Sequence, residues 1–241
     1  MVMREDGCDD APVRGLLFVH IPKCGGQSVV SSVRKDVIED PKQALYIGNA
    51  KQKKLLDGAR PLGSYQFLAG HYTYDQWREL VGETTFRRFW VFTVLREPVA
   101  RVVSLYNYIA TTEKHEEHLE VARMSFRHFI ESPKFRGNTM CRYIGEGDAE
   151  SAIARIRQEF SAVAAVHGIG RLLAIVGHEA GVGSIDVRRK NSTESVRLVR
   201  GGVPRTDREY LAYKDAEDWK LWSWWCENYG EAGVMWRRVT E

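Results

Sequence analysis

No hydrophobic stretch in the chain approaches the roughly 18 residues that a membrane span requires. Met1 to Arg14 is polar and acidic, unlike a signal or transit peptide. Cysteine is scarce and scattered: Cys8, Cys24, Cys141 and Cys226 form no CxxC pair and no metal-ligand spacing. That argues against a disulfide framework or a zinc site and fits a reducing compartment, so the expected location is the cytoplasm. A large charge surplus is missing too. The net charge of +3 over 241 residues is too small, and the basic residues too dispersed, to imply nucleic-acid binding. There is no repeat, low-complexity tract or long linker. What remains, 44% hydrophobic and 28% charged residues, suits one globular α/β domain. We expect residues 15–241 to form that domain and residues 1–14 a polar tail.

Strand and helix patterns alternate along the chain. Leu16 to His20 reads as a strand and Gln27 to Ile38 as a helix; Asn49 to Asp57 reads as a short helix. Tyr65 to Ala69 is a second strand, closed by Gly70 and His71. Trp90 to Leu95 is a nearly continuous apolar run, as in a strand buried on both faces. Pro98 can open a helix running to about Ala110. Ser151 to Phe160 and Gly170 to Ala180 have helical spacing around a strand at Ala162 to Val166, and Gly181 to Pro204 reads as a basic, glycine-rich loop. In the last helix, Asp215 to Tyr229, the stripe Trp219, Trp222, Trp225, Cys226 and Tyr229 is expected to face the core. The expected fold is α/β, a mainly parallel central sheet flanked by helices, with ligands outside the carboxyl ends of the strands.

The most informative segment follows the first strand: His20-Ile21-Pro22-Lys23-Cys24-Gly25-Gly26-Gln27-Ser28. Strand, glycine turn and helix N-terminus together hold phosphates, because backbone N–H groups and the helix dipole converge there. The nucleoside-triphosphate loop places its lysine after the last glycine, whereas Lys23 precedes Gly25 and Gly26. The turn therefore reads as an anion cradle of another kind. Lys23, His71 and Arg96 each follow a strand, and in a parallel sheet such ends lie on one edge. Ser104, eight positions after Arg96, falls about two turns into the next helix, where a guanidinium fork and a hydroxyl could share a second phosphate.

These segments resemble the carbohydrate sulfotransferases, in the branch related to heparan sulfate 2-O-sulfotransferase. Residues 18–28 resemble the loop that holds the 5′-phosphosulfate, and residues 94–106, with the Arg96 to Ser104 spacing, the 3′-phosphate motif. Gly70-His71-Tyr72 is similar to the segment bearing the catalytic histidine. Asn138 to Gly145 resembles that branch's Asn-x-x-x-Arg-x-Leu segment, and Arg188 to Thr193 its late basic loop. The resemblance implies a fold related to the P-loop nucleotide kinases. It implies transfer of a sulfuryl group from 3′-phosphoadenosine 5′-phosphosulfate to a hydroxyl, usually on a sugar, leaving adenosine 3′,5′-bisphosphate, with no metal. The chain lacks the Golgi members' membrane anchor, so the resemblance leads us to expect a soluble member of bacterial type or a trimmed form of a longer protein. Gln27 stands where the family usually has threonine.

On that resemblance, Lys23 and His71 are the expected catalytic residues, as charge stabiliser and base. Lys23, Cys24, Gly25, Gly26, Gln27, Ser28, Arg96, Ser104, Arg189, Lys190, Asn191 and Ser192 are expected to hold the donor; His20, Asn138 and Arg142 are expected on the acceptor side. A histidine with its pKa near about 6.5 is poised to take a proton at neutral pH. Plainer readings stand beside these. Lys23 could be a surface lysine, Arg96 could pair with a core carboxylate, and His71 could be structural with His20 as the rival base. Arg142 could brace the nucleotide site. His115, His118 and His128 are expected to be solvated. Arginines 136, 142, 188, 189, 197, 200 and 205 could rim a site for an acidic polysaccharide or simply lie scattered. The competing functions are an ATP-dependent small-molecule kinase and a non-catalytic protein that binds the adenosine bisphosphate. No acidic residue placed to hold magnesium follows a buried strand, which counts against the kinase.

Overall fold

The computed structural model describes residues 15–48, 56, 60–183, 185–188, 199 and 202–237. The expected helix at 49–57 and the candidate donor residues Arg189, Lys190, Asn191 and Ser192 lie outside the described residues, apart from Leu56.

The first strand, β1 (Gly15–Val19), leads through the glycine turn into α1 (Gly26–Asp36). β2 (Ala44–Ile47) follows a proline turn capped by Asp40, whose carboxylate accepts from the Lys42 amide. Then come β3 (Phe67–Gly70), α2 (Tyr74–Val81), α3 (Glu83–Phe86) and β4 (Phe89–Leu95). The link to β5 (Ala162–Ala165) is helical: α4 (Pro98–Thr111), α5 (His118–Val121), α6 (Phe126–Glu131), α7 (Thr139–Ile144) and α8 (Ala149–Gln158). α9 (Ile169–Glu179), α10 (Arg205–Lys214), α11 (Ala216–Tyr229) and β6 (Val234–Trp236) complete the described elements. None of these helices is long and apolar enough to cross a membrane.

The strands order as β2-β3-β1-β4-β5-β6, all parallel except β6, which runs against β5. Every residue of β1 and β4 is buried, which explains their nearly unbroken apolar sequence; the exception, Thr93, donates its hydroxyl to the Val19 carbonyl at 2.7 Å. After β1 the chain moves to one side of the sheet, and from β3 it crosses to β4 on the other. Right-handed crossovers then place helices on both faces. α1 packs against α9, while α7, α8 and α11 pack on one another. The crevice between β1 and β4 is the topological switch point, where such sheets bind ligands. A second apolar cluster, with Val102, Phe129 and Leu211 among its buried members, joins α4, α6 and α10.

Among the described residues the expected elements recur with boundaries shifted by no more than two residues, and the Trp stripe of α11 is core-facing, with Trp222 and Trp225 buried. β2 and β6 are strands that the sequence pattern did not reveal. β2 adds an outer strand beside β3, so the strand ends followed by Lys23, His71 and Arg96 belong to the first, third and fourth strands. These three are neighbours in space, β3-β1-β4.

Candidate active site

The turn after β1 is held by its own backbone. Lys23 adopts a left-handed conformation (φ 67°), as does Gly25 (φ 80°). A non-glycine residue there carries backbone strain and persists only where its surroundings hold it. Arg96, at the end of β4, supplies the fixing contact: its guanidinium donates to the Lys23 carbonyl at 2.9 Å. α1 then starts at Gly26 with no side chain capping its N-terminus. By contrast, Glu97 caps α4 through the Ala100 amide. Of the first-turn N–H groups of α1, that of Ser28 donates to the Gly25 carbonyl at 3.1 Å, and a helix start without a side-chain cap favours an anion through its remaining N–H groups and its dipole.

Two cations flank this helix start. Lys23 Nζ rests 3.9 Å over the ring of Tyr108, and Ser104 lies one turn earlier on the same face of α4. Burial, and secondarily the Arg96 charge, lowers the Lys23 pKa to about 8. Burial likewise lowers that of Arg96, which as a guanidinium stays charged. Among the described residues neither forms an ion pair with a carboxylate, unlike Arg155, Arg127 or Arg188. Half-buried cations without carboxylates, at an uncapped helix start, favour an anionic ligand. The Cys24 thiol is buried and pushed up to about 12, so it stays neutral and offers only its backbone.

His71 enters from β3. Its amide donates to the Ile47 carbonyl at 3.0 Å, and its ring lies 4.2 Å from that of His20, centroid to centroid. Nδ1 of His71 lies 2.8 Å from the His20 carbonyl oxygen, which can only accept, so the neutral ring carries its proton on Nδ1 and leaves Nε2 bare. Burial lowers the pKa of His71 and holds that of His20 well below the usual range, the His71 charge being the second cause for His20. Both rings are therefore neutral near pH 7.

The residue that sequence reasoning missed is Tyr46, on β2. Its hydroxyl meets Gln27 Nε2 at 3.1 Å, His20 Nδ1 at 3.0 Å and His71 Nε2 at 3.4 Å. Gln27 thus has its side-chain amide engaged with Tyr46. A short, half-buried strand gives little sequence signal, and only β2–β3 pairing, Tyr46 against Ala69, brings this phenol beside the histidines.

α7 closes the site near Arg96, whose amide lies 3.5 Å from Met140 Sδ. Asn138 braces the fold, since its side-chain oxygen accepts from the Glu217 amide at 3.0 Å, at the start of α11. In return, the Asp218 carboxylate accepts from the Met140 and Cys141 amides, and that of Asp215 from the Asn138 amide at 2.5 Å. Fully buried Arg101, on α4, lies 3.3 Å from Asp215 and 3.8 Å from Asp218. Arg142 is half-buried and donates to the Arg136 carbonyl at 3.1 Å. Arg188 pairs with Asp36 and Arg205 with Glu209. The structure thus gathers Lys23, the Gly25–Gly26 turn, Gln27, Arg96, His20 and His71 at one sheet edge.

No protein-family model and no curated protein matches the chain. Among solved structures the chain is similar to mouse sulfotransferase SULT7A1 complexed with PAP. The TM-score is 0.48 and the identity 13%, over 91% of this chain and 87% of that one.

Proposed function

We propose that the protein is a sulfotransferase that moves the sulfuryl group of 3′-phosphoadenosine 5′-phosphosulfate to an acceptor hydroxyl, carried by a carbohydrate as the sequence resemblance implies. The observation that carries this reading is the switch-point crevice itself. Two cations without carboxylate partners among the described residues, Lys23 and Arg96, stand beside an uncapped helix start, with the bare Nε2 of a neutral histidine on the adjacent strand.

In this reading the amides from Gly25 to Ser28 receive the 5′-phosphosulfate. Arg96, with Ser104, receives the 3′-phosphate and so selects this donor. Lys23 leaves the Tyr108 ring to meet the charge that grows on the bridging oxygen as the S–O bond to phosphate breaks. His71 Nε2 takes the acceptor's hydroxyl proton while the acceptor oxygen bonds to sulfur, and the electron pair of the broken bond remains on the departing phosphate. Arg142 lines the acceptor side. The protein's contribution is positioning and charge stabilisation.

The test uses donor carrying labelled sulfur and a panel of glycosides and simple alcohols. His71→Ala should lower transfer by about 10²-fold or more and leave adenosine 3′,5′-bisphosphate affinity unchanged. Wild-type transfer by that variant would remove His71 as the base. ATP with magnesium as the productive donor would replace the reading with a kinase.

A further inference from the structure

Nothing in the transfer chemistry above uses Tyr46, yet its hydroxyl is where both imidazoles and Gln27 converge. A phenol offers one proton and two lone pairs. The Gln27 amide can only donate, so it occupies one lone pair at 3.1 Å. Two ring nitrogens remain, His20 Nδ1 at 3.0 Å and His71 Nε2 at 3.4 Å. The shorter contact is the one that suits a hydrogen bond, which puts the hydroxyl proton between Tyr46 and His20 Nδ1. His20 then carries its own proton on Nε2, the edge packed against Gly26. The second lone pair of Tyr46 is left facing the bare Nε2 of His71 at the longer distance.

We propose that Tyr46 is a positioning residue that holds His20 and His71 in fixed tautomers and keeps a lone pair ready for the proton that His71 receives. This rests on the reading of His71 as the base. Before transfer the Nε2 lone pair of His71 has no donor from Tyr46 and is open to the acceptor hydroxyl. After transfer Nε2 bears the acceptor's proton, and that N–H, shared between the acceptor oxygen and Tyr46 Oη at 3.4 Å, draws on the free lone pair of Tyr46, whose own proton stays on the His20 side. No further proton moves until His71 returns its proton to solvent. The contact is stronger once His71 is an imidazolium than before, so it stabilises the transition state more than the ground state. The other titratable groups facing the cluster are Lys23, from the turn after β1, and the phenols of Tyr108 on α4 and Tyr143 on α7.

The experiment is nitrogen-resolved NMR of the histidine side chains in the full chain, wild type and Tyr46→Phe, alongside transfer kinetics. In the wild type, His20 should be protonated on Nε2 and His71 on Nδ1; the opposite tautomer of either overturns the proposal without any variant. In Tyr46→Phe, which keeps the ring and removes only the oxygen, the His71 protonation midpoint should fall and His20 should become a mixture of tautomers. Turnover should drop about tenfold with donor KM unchanged, and the acid limb of kcat/KM should move down with the midpoint. An unchanged midpoint and a single His20 tautomer in Tyr46→Phe would also overturn it. If the wild-type chain transfers no sulfuryl group, the functional reading falls, and the imidazole spectra still judge Tyr46.

Discussion

Gly26→Ala is the smallest change that should disturb the whole site. A Cβ at Gly26 would sit 2.1 Å from both Cδ2 and Nε2 of His20, against an ordinary contact of 3.4 Å or more. The ring must therefore retreat by about 1.3 Å in a close-packed interior. It has little room, because His20 is 3% exposed, is stacked on Phe18 and lies tilted against the His71 ring. Overpacking of this kind costs about 1–3 kcal/mol, and loss of the Tyr46 contact adds about 1 kcal/mol. The better helix propensity of alanine returns about 0.5–1 kcal/mol. The expected net loss is about 2 kcal/mol, or about 4–8 °C in Tm for a chain of this size. Urea unfolding followed by tryptophan fluorescence measures it. Gly170→Ala is the control: its Cβ would meet only Val187, at 3.5 Å, so the same helix-propensity gain should leave it up to about 1 kcal/mol more stable than the wild type. A Gly26→Ala protein as stable as the control, with unshifted His20 and His71 resonances, would refute the placement of His20 over the turn.

Two further outcomes follow from the electrostatics. Lys23 has its pKa lowered to about 8, so above that pH the free protein must take up a proton to meet an anion. Affinity for adenosine 3′,5′-bisphosphate should be flat below about pH 8 and fall by up to tenfold per pH unit above it, an effect that Lys23→Met should abolish; calorimetry in buffers of different ionisation enthalpy reads the proton uptake, and a flat profile across that range would remove Lys23 from the donor site. Asp218→Ala leaves Arg101 buried with one carboxylate fewer and uncaps α7, so it should cost about 3–5 kcal/mol in denaturant unfolding; a loss below about 1 kcal/mol would show that the Arg101 network does not hold α4, α7 and α11 together.

The sheet edge was legible because its signals are local. β1 and β4 are continuous apolar runs, each followed at once by its chemistry, Lys23-Cys24-Gly25-Gly26 and Arg96. Parallel order then suffices to bring those ends together. Tyr46 was hidden because β2 is four residues long with a half-buried centre, and its partners lie in other segments. Gln27 looked like a weakened phosphate contact, and only the fold supplies Tyr46 as its partner. Asp215 and Asp218 read as ordinary acids at a helix start; packing of α4 against α11 turns them into the buried partners of Arg101. Asn138, expected on the acceptor side, has its side-chain oxygen engaged in capping α11, a role its sequence neighbours do not disclose.

The central claim is that the crevice between β1 and β4 takes a donor with two separated phosphate-type groups. Calorimetric titration of the wild-type chain and Arg96→Ala with adenosine 3′,5′-bisphosphate, AMP and ATP plus magnesium tests it most directly. We predict that the bisphosphate binds tightest and that Arg96→Ala weakens it at least about tenfold, the loss of one charge-assisted hydrogen-bonding group, while AMP loses less. Equal affinity for the bisphosphate and AMP, or tighter binding of ATP with magnesium, would contradict it.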